Sequence, residues 1–377
     1  MDLIITHESA LEFWRLQRRS RPKHEYNRSW KKPPCESPDS YTLRHGETRG
    51  LTLPLDIMVD TRSARRPSRA VVPHVCTKSA PDDAFVDAGS GLYVSSPEFC
   101  FFQLADEYPL AKLIAVGIEL CGSYSLPGKT AVGSDHGATA GTNHGATAGT
   151  NRGATAGTNR GATGGTNRRA AAGTNRGAFT SADRSAAASK EYSASEQPFY
   201  NLPQLTSRKK LKDFVARMGG WPGHKLAIKA LRYIVDDSAS PMETILCILL
   251  TLPYRYGGYG LPLPEMNGCI YPGKGVKQFS GRGFYRGDLL WRKAGVVAEY
   301  NSDLEHTGSD RIARDAIRQG DLNLCGILEV PVTKEQIKNV DLFDKVARQI
   351  AARVGRQLRY KDPGFSKARN ELRKVLL

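Results

Sequence analysis

The sequence predicts an α/β chain of the α+β kind, with two folded parts and a structureless linker between them. Three observations predict it. The chain has 377 residues, more than one hydrophobic core usually organises. An octapeptide repeat of small residues interrupts it from His136. On both sides of that repeat, helix-start signals alternate with short apolar runs. The expected boundaries are a small mixed domain over 1–130, the linker over 131–192 and a larger domain over 193–377.

Composition excludes several classes. The longest uninterrupted apolar run, Ile245 to Leu250, is too short to cross a bilayer. Asp2, His7 and Glu8 interrupt what could have been the apolar stretch of a signal peptide. The seven cysteines, at 35, 76, 100, 121, 247, 269 and 325, are odd in number and widely spaced. A disulfide framework or a paired-cysteine zinc site is therefore not expected, and a reducing cytoplasm is. The net charge is +16, and Lys plus Arg exceed Asp plus Glu by 1 over residues 1–130, 5 over 131–190 and 10 over 191–377. Such an excess suits a polyanion, of which nucleic acid is the commonest inside cells. A soluble basic surface accounts for the charge equally well.

In the first part, Thr6 is placed to cap a helix carrying Ala10, Phe13, Trp14 and Gln17 at helical spacing. Leu51–Val59, Ala70–Val75 and Leu92–Val94 read as strands, and Ser95-Ser96-Pro97-Glu98 opens a helix with a cap, an early proline and an acid. A further helix covers Ala111–Leu120. The succession "THESALEFWR", "RSARRPSR", "PHV" and "LYVSSPEFCFFQLA" resembles the C-terminal region of abortive-infection type IV antitoxins. That resemblance implies a toxin–antitoxin setting and a cognate toxin protein as partner. The family ordinarily carries a winged helix ahead of this region. Here the matching segment starts at Thr6, so DNA binding through such a helix is not expected.

The middle runs as seven octads over 136–191, beginning HGATAGTN and decaying through RGAFTSAD. Little larger than alanine recurs in it, so burial cannot offset the entropy of folding. A coil of that length would span roughly 40 Å.

In the third part, Ser240-Pro241-Met242-Glu243 forms a capping box ahead of an apolar helix. That local role alone accounts for Glu243. Gly287–Trp291 and Val296–Tyr300 read as two strands joined through Arg292–Gly295. A hairpin symmetric about Lys293 and Ala294 sets Asp288 opposite Glu299, with Cβ atoms about 5 Å apart, where like charges destabilise a sheet. A divalent cation held by both carboxylates relieves that repulsion. A solvated rim relieves it too.

The succession from Glu243 through "RGDLLW" and "VVAEYNSDLEH" to the helix "SDRIARDAIRQG", the strand "LCGILEV" and a helix over 333–358 resembles PD-(D/E)xK nucleases. The resemblance is to the compact branch related to very-short-patch-repair endonucleases. The resemblance covers about residues 190–360. It implies a restriction-endonuclease-like fold, a central mixed sheet flanked by helices, acting as an Mg²⁺- or Mn²⁺-dependent DNA endonuclease in defence or repair. It also implies that Asp288 and Glu299 are metal ligands, that Glu243 is an outer ligand or base-positioning acid, and that His306 polarises water or the leaving group.

The lysine expected two residues after the strand Glu is Asn301, and Ser302-Asp303 stands where a glycine is expected. Lys274, Lys277 and Lys293 are candidates to replace that lysine. Arg282, Arg286, Arg311 and Arg314, and the tail Arg353, Arg356, Arg359 and Lys361, are candidate phosphate contacts. A non-catalytic nucleic-acid-binding regulator of antitoxin type is the alternative function. The cluster Gly257-Gly258-Tyr259-Gly260 lacks the following helix of a phosphate loop and reads as an ordinary loop.

Overall fold

A computed structural model describes residues 2–20, 48, 50–76, 78–128, 197–273, 277, 283–301, 309–359 and 363–377. The octad repeat, Arg282 and His306 lie outside the described residues. Residues 1–131 and 194–377 form one compact unit, and a single large hydrophobic cluster draws on both segments.

The first segment opens on a short strand not expected from the sequence, β1 (Leu3–Ile5), whose three residues are all buried. Helix α1 (His7–Ser20) follows and buries Ala10, Leu11, Phe13 and Trp14. The Trp14 indole donates to the Ser95 carbonyl at 2.8 Å, which ties the helix to the sheet. The Thr6 carbonyl accepts the first helical bond from Ala10, at 2.9 Å. Its hydroxyl turns instead to the His7 ring, also at 2.9 Å. Strands β2 (Leu55–Val59), β3 (Val71–Val75), β4 (Phe85–Gly89) and β5 (Leu92–Ser95) complete a mixed sheet in the order β3-β2-β1-β5-β4. β2 is shorter than expected because Pro54 offers no N–H to the ladder. Pro73 lies within β3, an edge strand, where a missing donor is tolerated.

Helix α2 (Pro97–Leu104) starts as its sequence predicts, with the Ser96 hydroxyl accepting from the Phe99 N–H at 3.3 Å. α3 (Leu110–Leu120) follows it.

The second segment begins with α4 (Arg208–Arg217) and α5 (His224–Ala230), neither of which was anticipated. They pack on the first segment: Phe99 meets Phe214 and Trp221 at ring separations of 5.8 and 6.1 Å. The Tyr124 hydroxyl meets Thr244 Oγ1 at 2.9 Å, at the start of α6 (Pro241–Thr251).

After α6 comes a second mixed sheet, β6 (Glu265–Ile270), β7 (Tyr285–Trp291), β8 (Val296–Asn301) and β9 (Leu328–Thr333), in that spatial order. β6–β7 and β7–β8 are antiparallel, and β8–β9 is parallel. The crossover to β9 is α7 (Ser309–Leu324). α7 sends Leu322 to a small cluster with Ile270, Tyr285, Leu290, Val297 and Ile327.

The helix expected over 333–358 is two. The Thr333–Gln336 capping box opens α8 (Lys334–Lys338), and Asn339, capping Leu342, starts α9 (Val340–Arg353). A last helix, α10 (Pro363–Leu376), pairs Arg369 with Asp344 at 3.0 Å. Arg369, which follows the candidate phosphate contacts of the tail, therefore serves the fold. The glycine cluster is structural as well: a Cβ at Gly258 would stand 2.1 Å from the Leu252 carbonyl oxygen, and one at Gly257 2.3 Å from that of Ala368.

Candidate active site

The hairpin that carries the candidate acids has the register its sequence predicts. Leu290 pairs with Val297 and Trp291 with Val296. Arg292–Ala294 makes a single tight turn, and Gly295 supplies a left-handed residue at φ 59°. Asp288 and Glu299 thus meet across β7 and β8, where side chains take over from the backbone ladder. The Asp288 carboxylate accepts from the Tyr300 N–H at 2.8 Å. Gly287 permits the close approach: a Cβ there would sit 2.4 Å from Val297 Cγ2.

Glu243 reaches the same region from the start of α6. The Ser240 hydroxyl accepts from the Glu243 N–H at 3.1 Å, as the capping box requires. The return bond differs, because the Glu243 carboxylate accepts from the Ala239 N–H at 2.9 Å and from the Asn267 side chain at 2.7 Å. Asn267 belongs to β6 and also donates to the Asp237 carbonyl at 2.8 Å. One amide therefore links the helix start to the sheet.

Asp288 perturbs both glutamates, and all three carboxyls are raised by burial. Burial raises the Glu243 carboxyl above the usual carboxylate range, and Asp288 adds to the rise. Asp288 is itself raised by burial, against the pull of the Tyr300 N–H, Arg318 and Arg286. Glu299 is pushed up to about 8, first by burial and then by Asp288, although Arg318 opposes the shift. Buried carboxylates raised around a shared acid are a frequent mark of a functional site, since a fold gains no stability from crowding them.

Two participants escaped the sequence reading. Arg318, on α7, donates to Glu299 Oε1 at 2.5 Å and to the Arg286 carbonyl at 3.0 Å, and stands 3.5 Å from Glu329 Oε1. A signal for it existed, because Arg318 continues the helical stripe of Arg311 and Arg314. Glu329 had a signal too, as the one acid in an otherwise apolar strand.

The remaining candidates divide. Arg286 is exposed beside Asp288. Arg311 and Arg314 fall on α7, but their side chains are outside the described residues, as are Lys274 and the whole of Arg282 and His306. Lys293 is exposed in the hairpin turn, about 10 Å along the strands from the acidic pair. It is not placed to replace the missing lysine. Among the described residues, the three acids are not a group of ligand atoms all within 4.8 Å of one another; the group that satisfies this is His7, His74 and Glu107. No described helix is long and apolar enough to cross a membrane. No family model matches the chain, and neither a curated protein nor a solved structure does.

Proposed function

We propose that the chain is a DNA endonuclease dependent on Mg²⁺ or Mn²⁺, built on a restriction-endonuclease-like core and acting in a defence or repair setting. One observation carries this reading. Glu243, Asp288 and Glu299 come from α6, β7 and β8, yet Asp288 lies close enough to raise the carboxyl groups of both glutamates, each already raised by burial. The succession α6, β6 to β8, α7, β9 and α9 supports the same architecture, since it keeps the element order that the sequence shares with those nucleases. The resemblance of the first segment to type IV antitoxins supports a defence setting.

The donors fit a hard divalent cation, because all are carboxylate oxygens whose repulsion such an ion removes. Asp288 and Glu299 would hold it, and it would supply a water of lowered pKa and charge stabilisation at a phosphate. Within the chain, Asn267 holds Glu243 in place and the Tyr300 N–H orients Asp288. Arg286, exposed beside them, contributes phosphate attraction without base specificity.

A second reading has its own observation. Arg318 already ion-pairs with Glu299 and Glu329, so part of the cluster's charge is met without an ion. With Asn301 in the lysine position, that arrangement favours a non-catalytic nucleic-acid-binding regulator. Supercoiled plasmid incubated with Mg²⁺ or Mn²⁺ separates the two. An endonuclease nicks it, and Asp288→Asn and Glu299→Gln stop the reaction. Salt-dependent DNA binding with no nicking in either metal supports the regulator.

A further inference from the structure

Away from the acidic cluster, two histidines far apart in sequence come face to face. The His7 and His74 rings stack at 3.7 Å between centroids, with an interplanar angle of 19°. His7 is the first residue of α1, and His74 lies in β3. Glu107, from the connection between α2 and α3, brings Oε1 to 3.9 Å from His7 Nε2. One ligand-type atom from each of the three side chains falls within 4.8 Å of the others.

Each ring is held in place. His7 Nδ1 is bonded to the Thr6 hydroxyl at 2.9 Å, which leaves Nε2 facing Glu107. His7 has a φ of 47°, a left-handed conformation rare for a residue with a side chain. Gln103 Oε1 accepts from its N–H at 3.3 Å, and the Cys100 thiol donates to its carbonyl at 3.4 Å. His74 Nε2 stands 2.8 Å from Asp56 Oδ1, while the other oxygen of Asp56 accepts from the Ser9 N–H and hydroxyl, both at 3.3 Å. A carboxylate that orients an imidazole in this way is the usual outer support of a metal-bound histidine. The surroundings are acidic: Glu8 accepts from the Tyr108 hydroxyl next along the chain, at 2.6 Å.

From this geometry we infer that His7, His74 and Glu107 form a site for a Zn²⁺-class transition ion, separate from the carboxylate cluster on the other sheet. Two ligands on one tetrahedral zinc stand about 3.3 Å apart, so the His7–Glu107 separation closes by a shift of well under an ångström, while one of the two stacked imidazoles must turn out of the stack for both rings to present an in-plane nitrogen to the ion. Mixed imidazole and carboxylate donors suit zinc and its neighbours better than magnesium. Three protein ligands leave a fourth position open. Glu107 is the most exposed of the three, at 39% of its side chain, and marks the side from which an ion enters. The ion would join the start of α1, strand β3 and the α2–α3 connection.

The test uses the full chain, stripped with a chelator and titrated with Co²⁺, a coloured substitute for Zn²⁺. With excess Mg²⁺ present to fill the carboxylate cluster, the expected result is one Co²⁺ per chain, with the visible absorption of a tetrahedral site and a higher melting temperature on loading with Zn²⁺. Asp288→Asn leaves both unchanged, which keeps this site distinct from the proposed nuclease centre. His74→Gln and Glu107→Gln remove the absorption, and Asp56→Asn weakens affinity by about 10–100-fold. Glu107 lies in an exposed connection, so its variant tests the site without endangering the fold. No uptake of Co²⁺ by the stripped chain, or uptake that survives Glu107→Gln and His74→Gln, overturns the proposal.

Discussion

Three carboxyl groups around one guanidinium set the chemistry of the candidate active site. Asp288, Glu299 and Glu329 cannot all be charged against Arg318 alone, so the cluster keeps a proton to higher pH than a free carboxyl would. Glu299 keeps its proton up to about 8 when folded, against about 4.3 for an ordinary glutamate. The sign follows from linkage. Its contribution to stability is complete below the unfolded value and is lost as pH rises through the folded one. Urea denaturation of Glu299→Gln is therefore expected to show a flatter fall in stability between about pH 4.5 and 8 than the parent chain. An Mg²⁺ or Mn²⁺ ion bound there must displace the same proton. Calorimetry in buffers of different ionisation heat should register proton release on binding, with affinity rising over the same window. Arg318→Met removes the shared cation and leaves two largely buried acids without it. A loss of about 3 kcal/mol is expected in denaturant titration above about pH 8, where Glu299 is charged, and a smaller one below it, where Glu299 already holds its proton.

At the scale of elements, the hairpin β7–β8 was legible because its turn residues and flanking apolar runs leave one sensible register, and that register brings Asp288 and Glu299 to adjacent places one step beyond the Leu289–Ala298 pair. Helix starts at Ser96, Ser240 and Thr333 were legible for the same local reason, a short polar side chain ahead of orphan N–H groups. What could not be read included β1, too short at three residues to show a period, β4, α4 and α5, and the break at Asn339, where one helical stripe hides two helices. Arg318 was missed because a strand partner, rather than sequence spacing, brings it to Glu299. Gly287 tests how tightly the hairpin is built. An alanine Cβ would lie 2.4 Å from Val297 Cγ2, so Gly287→Ala should cost about 1–3 kcal/mol through strand displacement. A thermal melt measures the loss, and plasmid nicking should fall along with it.

Across the whole molecule, the two segments flanking the repeat share one core, which no local pattern announces. Arg18 joins them: it is buried and donates to the carbonyls of Tyr124 and Pro203 at 2.7 Å and Gly122 at 2.8 Å. Urea unfolding followed by tryptophan fluorescence and by circular dichroism should therefore give coincident single transitions, and Arg18→Met should shift both together rather than split them. Basic charge, by contrast, was plain from composition, and its concentration beyond residue 191 fits a polyanion at the second sheet. The central claim is that Glu243, Asp288 and Glu299 together cleave phosphodiester bonds with a divalent cation. The initial rate of plasmid nicking at fixed Mg²⁺, measured beside Asp288→Asn, tests it most directly. A metal-dependent rate that the substitution lowers by at least about 100-fold is expected; equal rates in both proteins, or none in either with Mg²⁺ and Mn²⁺, would overturn the proposed nuclease function.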